Sequence, residues 1–157
     1  MDRAQMKKYL VPAGAVLAVL LLAGLVVFVS GSERKMSDGS NGGTDDPGLK
    51  DLGGGLKMRD LKEGSGDPAK EGASITIHYT GWLPDGSVFD TSKKGEGKPA
   101  EFDLPRLIAG WQKGIPGMKP GGVRKLVVPA ALGYGETGQP PNIPGGATLV
   151  FEVEFIK

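Results

Sequence analysis

The sequence contains no cysteine in its 157 residues. That absence excludes disulfide frameworks, thiol nucleophiles, thiolate metal sites and a lipid-modified cysteine near the N-terminus, so stability has to come from packing. Histidine occurs once, at His78, which leaves it no partner for a metal site or a catalytic triad and favours a packed or solvent-facing role. An excess of charge is missing too: 19 basic residues face 18 acidic ones. With Arg3, Lys7, Lys8 and Asp2 of the N-terminus set aside, the remainder is nearly neutral and carries no basic footprint for nucleic acid. What is plentiful is glycine, with 27 residues, more than twice its usual share. The glycines gather in a linker-like stretch and in turns rather than at a collagen period.

Charge is also absent from one long run. Leu10 to Ser30 (LVPAGAVLAVLLLAGLVVFVS) has no charged residue, and roughly twenty such residues suffice for a helix to cross a hydrocarbon layer of ~30 Å. The pattern predicts a transmembrane helix over residues 10–30. Arg3, Lys7 and Lys8 precede it while Glu33, Arg34 and Lys35 nearly balance after it, so the positive-inside bias keeps residues 1–9 cytoplasmic. The expected location is the plasma (inner) membrane, with everything after the span extracytoplasmic or periplasmic. A cleaved signal peptide, ending near Val29-Ser30-Gly31 and releasing a secreted or periplasmic protein, is the alternative; the apolar run exceeds the usual ~7–15 residues of such signals, which favours the anchor. Residues 31–55 are rich in Gly, Ser and Asp without apolar periodicity and read as a flexible linker.

A different pattern runs from Leu56 to Lys157. Leu56 and Met58 start a strand that Gly64-Ser65-Gly66-Asp67-Pro68 stops. In Ser74 to Thr80, Ile75, Ile77 and Tyr79 alternate with polar neighbours, the period of a half-buried strand. Pro84-Asp85-Gly86 is a turn sequence that returns the chain through Val88 and Phe89. Leu104, Leu107, Ile108 and Trp111 fall at i, i+3, i+4 and i+7, one face of a helix that Pro105 can begin. Gly110 and Gly114 weaken that helix and Pro116-Gly117 ends it. Strands follow at Val123 to Val128 and Leu149 to Ile156, separated by a Pro- and Gly-rich loop too long for a mere connection.

Three segments of this region carry a family resemblance: HYTGWLPDGSVFDTS (His78 to Ser92), LIAGWQKGIPGMKPGG (Leu107 to Gly122) and GYGETGQPPNIPGGATLVFEVEF (Gly133 to Phe155). In this order and spacing, residues 56–157 resemble the FKBP-type peptidyl-prolyl cis-trans isomerases. The resemblance implies an α+β fold in which a strongly curved antiparallel sheet of about five strands wraps one short helix, with a pocket between them. Matched position by position, it implies catalytic roles for Tyr79, Phe89, Asp90 and Tyr134, and substrate binding by Leu107, Ile108, Trp111, Ile143 and Phe151. Trp111 would lie beneath the proline ring, with Tyr79, Phe89 and Phe151 as walls. The Ile108 N–H and the Tyr134 hydroxyl would be offered to the substrate, and Asp90 would stand at the rim. The partners implied are proline-containing, unfolded or partly folded clients, and macrolide inhibitors.

Rotation about a peptide bond faces a barrier of ~18–20 kcal/mol from C–N double-bond character, and no bond to the substrate has to form or break. Such chemistry calls for neither metal nor cofactor. Two departures from the family stand out. Ala100 follows Pro99 where many members have an aromatic, which thins one wall, and the loop Lys93 to Lys98 lacks an arginine to pair with Asp90. The thinner wall gives some weight to an alternative function, a peptide-binding chaperone module with little or no isomerase activity.

Overall fold

The computed structural model describes residues 43–157. In chain order the elements are β1 (Lys50–Gly53), β2 (Leu56–Lys62), β3 (Ser74–Trp82), β4 (Val88–Thr91), β5 (Ala100–Asp103), a 3-10 turn (Leu104–Arg106), α1 (Ala109–Gly114), β6 (Val123–Val128), a second 3-10 turn (Ala130–Leu132) and β7 (Leu149–Phe155). All seven strands form one sheet in the order β1-β2-β6-β7-β3-β4, with β5 also paired to β3. Every pairing is antiparallel. The N-terminal half of β3 pairs with β5 (Ile75 with Phe102) and its C-terminal half with β4 (Thr80 with Thr91). The edge of the sheet therefore changes partner at Tyr79, beside the candidate site.

The α+β expectation of a sheet on one short helix holds; the strand count of about five rises to seven. The two additions are β1 and β5, each of four residues. β1 is exposed along its whole length and has no buried face to announce it, and it lies inside the stretch expected to be linker. Among the described residues no helix is long and apolar enough to cross a membrane. The longest, α1, has six residues, about 9 Å at 1.5 Å per residue against the ~30 Å required. That finding overturns the expected inner-membrane location; the apolar segment Leu10–Ser30 on which it rested lies outside the described residues.

Alternation places Ile75, Ile77 and Tyr79 of β3 on the face that carries Leu149, Phe151, Val153 and Phe155 of β7 and Leu126 and Val128 of β6, since Tyr79 pairs with Val153 and Phe151 with Leu126. These residues join Leu56, Leu104, Trp111, Ile115 and Met118 in one core. The glycines of α1, read from sequence as helix-weakening, are what let the helix approach. A Cβ on Gly114 would lie 2.6 Å from Leu126 Cδ2, and one on Gly110 would overlap Val128. At i and i+4 they form one bare stripe against β6. Arg124 ties the far end of α1 down: its guanidinium donates to Asp60 (2.6 and 3.1 Å) and to the Gly114 carbonyl (2.8 Å), satisfying a last-turn acceptor that the helix itself cannot.

Candidate functional site

Where α1 faces the sheet, a cavity of about 210 Å³ opens to solvent, small beside the ~300–1,000 Å³ of sites for drug-sized ligands. Its lining includes Tyr79, Phe89, Asp90, Leu107, Ile108, Trp111, Tyr134 and Phe151. Eight of the nine residues singled out from sequence thus meet at one place. The ninth, Ile143, is buried and lines an adjoining cleft that shares Phe89, Asp90 and Tyr134. Phe102 and Arg106 line the cavity as well and were missed.

Trp111 is 4% exposed and stands at the centre of an aromatic cluster. Its ring centroid lies 5.3 Å from Tyr79, 6.0 Å from Phe102 and 5.1 Å from Phe151, at interplanar angles of 79°, 80° and 80°. Three rings are therefore nearly perpendicular to one indole, the edge-to-face arrangement that ring quadrupoles favour. Phe89 extends the cluster by packing edge-to-face on Phe151 at 5.5 Å. Gly81 permits this, because a Cβ there would sit 3.0 Å from Phe151 Cε1 and in the path of the Phe89 ring. The indole Nε1–H is buried without a hydrogen-bond partner, a penalty of roughly 1–3 kcal/mol that Phe or Leu at this core position would not incur.

The polar groups lie at the margin. Tyr79 donates its hydroxyl to Asp90 Oδ2 at 2.6 Å, and Thr91 N–H donates to Asp90 Oδ1 at 2.9 Å. Lys94 Nζ is 3.7 Å from the same Oδ1, so in a Lys93 to Lys98 loop without arginine it is a lysine that stands beside the rim aspartate. Burial, then the hydrogen bond to the Asp90 carboxylate and its charge, push the Tyr79 hydroxyl well above the ordinary tyrosine range, with a smaller push from Tyr134. Burial and the Asp90 charge raise Tyr134 also. Both phenols therefore stay protonated, as hydrogen-bond donors, at any physiological pH.

The peptide unit joining Leu107 to Ile108 has a fixed orientation. Gln112 donates its side-chain amide to the Leu107 carbonyl at 2.7 Å and to the Pro105 carbonyl at 3.3 Å. In a trans peptide the N–H points opposite to the C=O, so holding the Leu107 oxygen also aims the Ile108 N–H, which has no acceptor among the described residues. Nothing in the sequence pattern marks Gln112, a polar residue on a short helix. Phe102 was legible in principle: it lies two residues after Ala100 on β5, hence on the same face, and its ring stands on the side where Ala100 suggested a thin wall.

A second cleft, of about 190 Å³, is lined by Asp60, Lys62, Glu63 and Arg124 among others. It is polar, and its arginine is already engaged with Asp60 and with the Gly114 and Pro116 carbonyls. It serves as a strut between β2, β6 and α1 and offers no apolar seat for a ligand.

Comparison with known proteins agrees with the geometry. The sequence profile of the FKBP-type peptidyl-prolyl cis-trans isomerases matches residues 66–156. The chain belongs to this family. It is 47% identical over 105 residues to an FK506-binding protein of Neisseria meningitidis serogroup B, an alignment spanning 66% of this chain and 96% of that one. It is 52% identical over 91 residues to the human peptidyl-prolyl cis-trans isomerase FKBP2, covering 57% of this chain and 63% of the relative. Among solved structures, a peptidyl-prolyl cis-trans isomerase of Pseudomonas syringae pv. tomato superposes with a TM-score of 0.66 at 34% identity, covering 74% of this chain and 84% of that one. FkpA of Escherichia coli superposes with a TM-score of 0.66 at 38% identity, covering 72% and 52%. Relatives named as isomerases at this level of identity are consistent with rotamase activity in this chain.

Proposed function

We propose that this protein accelerates cis–trans isomerisation of X-Pro bonds in polypeptide clients, and that the cavity over Trp111 is where it does so. The observation that carries this reading is the set of three rings, Tyr79, Phe102 and Phe151, standing nearly perpendicular to a single buried indole. This makes a largely apolar cup of about 210 Å³, suited to one prolyl ring rather than to an extended side chain. Tyr79, Phe89, Asp90 and Tyr134 take the catalytic roles, while Leu107, Ile108, Trp111 and Phe151 hold the prolyl residue and Ile143 supports the cleft beside them.

The physical basis is differential binding. Planar and twisted amides differ in charge distribution, because rotation breaks the resonance that makes the carbonyl oxygen negative and the nitrogen positive. An apolar cup that strips water from the amide disfavours the planar, more dipolar form, while groups aimed at the flanking peptide favour a twisted one. The Ile108 N–H, held by Gln112, is such a group, and the Tyr134 hydroxyl, kept protonated, is another. Asp90 is held by Tyr79 and Thr91, so its carboxylate stays at the rim instead of entering the cup. Each ~1.4 kcal/mol of preference for the twisted state gives tenfold in rate.

The names of the relatives in Neisseria support a macrolide as a second occupant of the same cavity. The alternative, a peptide-binding chaperone module with little or no isomerase activity, rests on a thin wall at Ala100; the Phe102 ring, which lines the cavity 6.0 Å from Trp111, weighs against it. The test is isomerisation of a short peptide with a hydrophobic residue before proline. Rates should rise in proportion to the concentration of the full chain, whereas binding of the peptide with no rate above buffer would establish the chaperone reading instead.

A further inference from the structure

One cation lines the aromatic cavity itself: Arg106. It ends the 3-10 turn Leu104–Arg106, between Leu104, which is 1% exposed, and Leu107, which lines the cavity. Its backbone is thus anchored in the core while its side chain is 85% exposed. Its one carboxylate neighbour holds it loosely. Asp103 Oδ2 is 3.8 Å from Arg106 Nε, and Asp103 is itself engaged, accepting from the Ser74 hydroxyl at 2.6 Å through Oδ1. A guanidinium has five N–H donors in a fork that matches a carboxylate, and here nearly all of that capacity is unspent. The other rim charge, Asp90, accepts from Tyr79 and Thr91 and has Lys94 3.7 Å from its Oδ1. An acidic client residue arriving beside the cavity therefore meets an open arginine, while the Asp90 carboxylate is turned to Tyr79 and Thr91.

We propose that Arg106 is a specificity-determining residue that selects clients bearing an aspartate or glutamate next to the proline being isomerised. This rests on the isomerase reading above and adds the substrate class to it. Exposure limits the size of the effect: a solvent-exposed ion pair of this kind gives about a two- to fivefold preference, and salt erodes it.

The experiment measures kcat/KM of the full chain on peptides that differ only at the residue before or after proline, Glu against its neutral isostere Gln. At low salt the Glu/Gln ratio should reach about two to five at one of the two positions, shrink toward one at high salt, stay in Arg106→Lys and fall below one in Arg106→Glu. Lys94→Glu, on the neighbouring cleft, is the control and should leave the ratio above one. A Glu/Gln ratio of one at both positions, with the Gln peptides turned over, overturns the role of Arg106 and leaves the isomerase reading standing. A ratio that survives Arg106→Glu but collapses in Lys94→Glu overturns it too, by assigning the preference elsewhere. Failure of the wild-type chain to turn over any of the peptides overturns the isomerase reading and this one with it.

Discussion

Replacing Gly114 by alanine sets two known effects against each other. At Gly114, the last residue of α1, alanine is favoured over glycine by at most the ~0.8–1.0 kcal/mol of a helix interior, so propensity alone predicts a more stable protein. The structure predicts the opposite. The added Cβ would lie 2.6 Å from Leu126 Cδ2 and 3.1 Å from Cδ1, well inside the ~3.5–4.0 Å of ordinary carbon contact. Leu126 is 0% exposed and has no solvent to retreat into. Overpacking of this kind costs about 1–3 kcal/mol, so the net is a loss of up to about 2 kcal/mol, and each 1 kcal/mol lowers the melting temperature of a domain this size by about 4–8 °C. The strain has a functional side, since relief by lifting α1 would also lift Trp111, the residue next to Gly110 and its close approach to Val128. The assay is thermal and urea unfolding of wild type, Gly114→Ala, Leu126→Ala and the double variant. Leu126→Ala alone should cost about 2–5 kcal/mol; with the leucine methyls gone, adding Gly114→Ala should recover up to about 1 kcal/mol. A rise in melting temperature for Gly114→Ala in the wild-type background, or an equal shift in both backgrounds, would refute the close-approach reasoning.

Two further outcomes concern the rim and the aimed peptide. Gln112→Ala should lower kcat/KM by about fivefold, the worth of one hydrogen bond of ~1 kcal/mol, and Gln112→Glu should lower it further, because a carboxylate not only fails to donate to the Leu107 and Pro105 carbonyls that Gln112 now serves but repels their oxygens; unchanged rates with both would show that the Ile108 N–H needs no positioning. The raised Tyr79 hydroxyl makes stability pH-dependent on the alkaline side: unfolded Tyr79 loses its proton near pH ~10 while the folded group keeps it, so the unfolded state binds fewer protons and stability falls as pH climbs above ~10. Unfolding curves against pH should show a shallower alkaline decline in Tyr79→Phe than in wild type, and identical slopes would contradict the raised Tyr79 hydroxyl, which burial causes first and the Asp90 carboxylate second.

The sequence made β3 and β7 legible because each has a buried face with a clear period, as in Ile75, Ile77 and Tyr79 at every second residue. The helical spacing of Leu104, Leu107, Ile108 and Trp111 pointed to a helix in the right region, but α1 holds only Trp111, with Leu104 in the 3-10 turn and Leu107 and Ile108 in the extended link between that turn and α1. β1 and β5 carry only four residues each, too few for a period to show. The candidate site was visible only through the company Trp111 keeps in three separated motifs, since alone it is one member of a core stripe. What escaped depended on tertiary geometry: the Phe102 ring joins the cavity wall, Lys94 stands beside Asp90, and Gln112 reaches back to Leu107. The glycines of α1 show the same limit, because propensity reads them as weak points while the sheet beneath reads them as clearance.

The most direct test of the proposed site is a comparison of wild type with Trp111→Leu in the peptide isomerisation assay, using the full chain and checking by thermal unfolding that both are folded at the assay temperature. Leucine keeps an apolar side chain in the core, at the cost of a void where the indole stood, and removes the aromatic surface around which Tyr79, Phe102 and Phe151 stand. The expected result is catalysis by wild type and a loss of tenfold or more in kcat/KM for the folded variant, corresponding to ~1.4 kcal/mol or more of transition-state preference. A folded Trp111→Leu chain that isomerises the peptide as fast as wild type would contradict the claim that this cavity is where the reaction takes place.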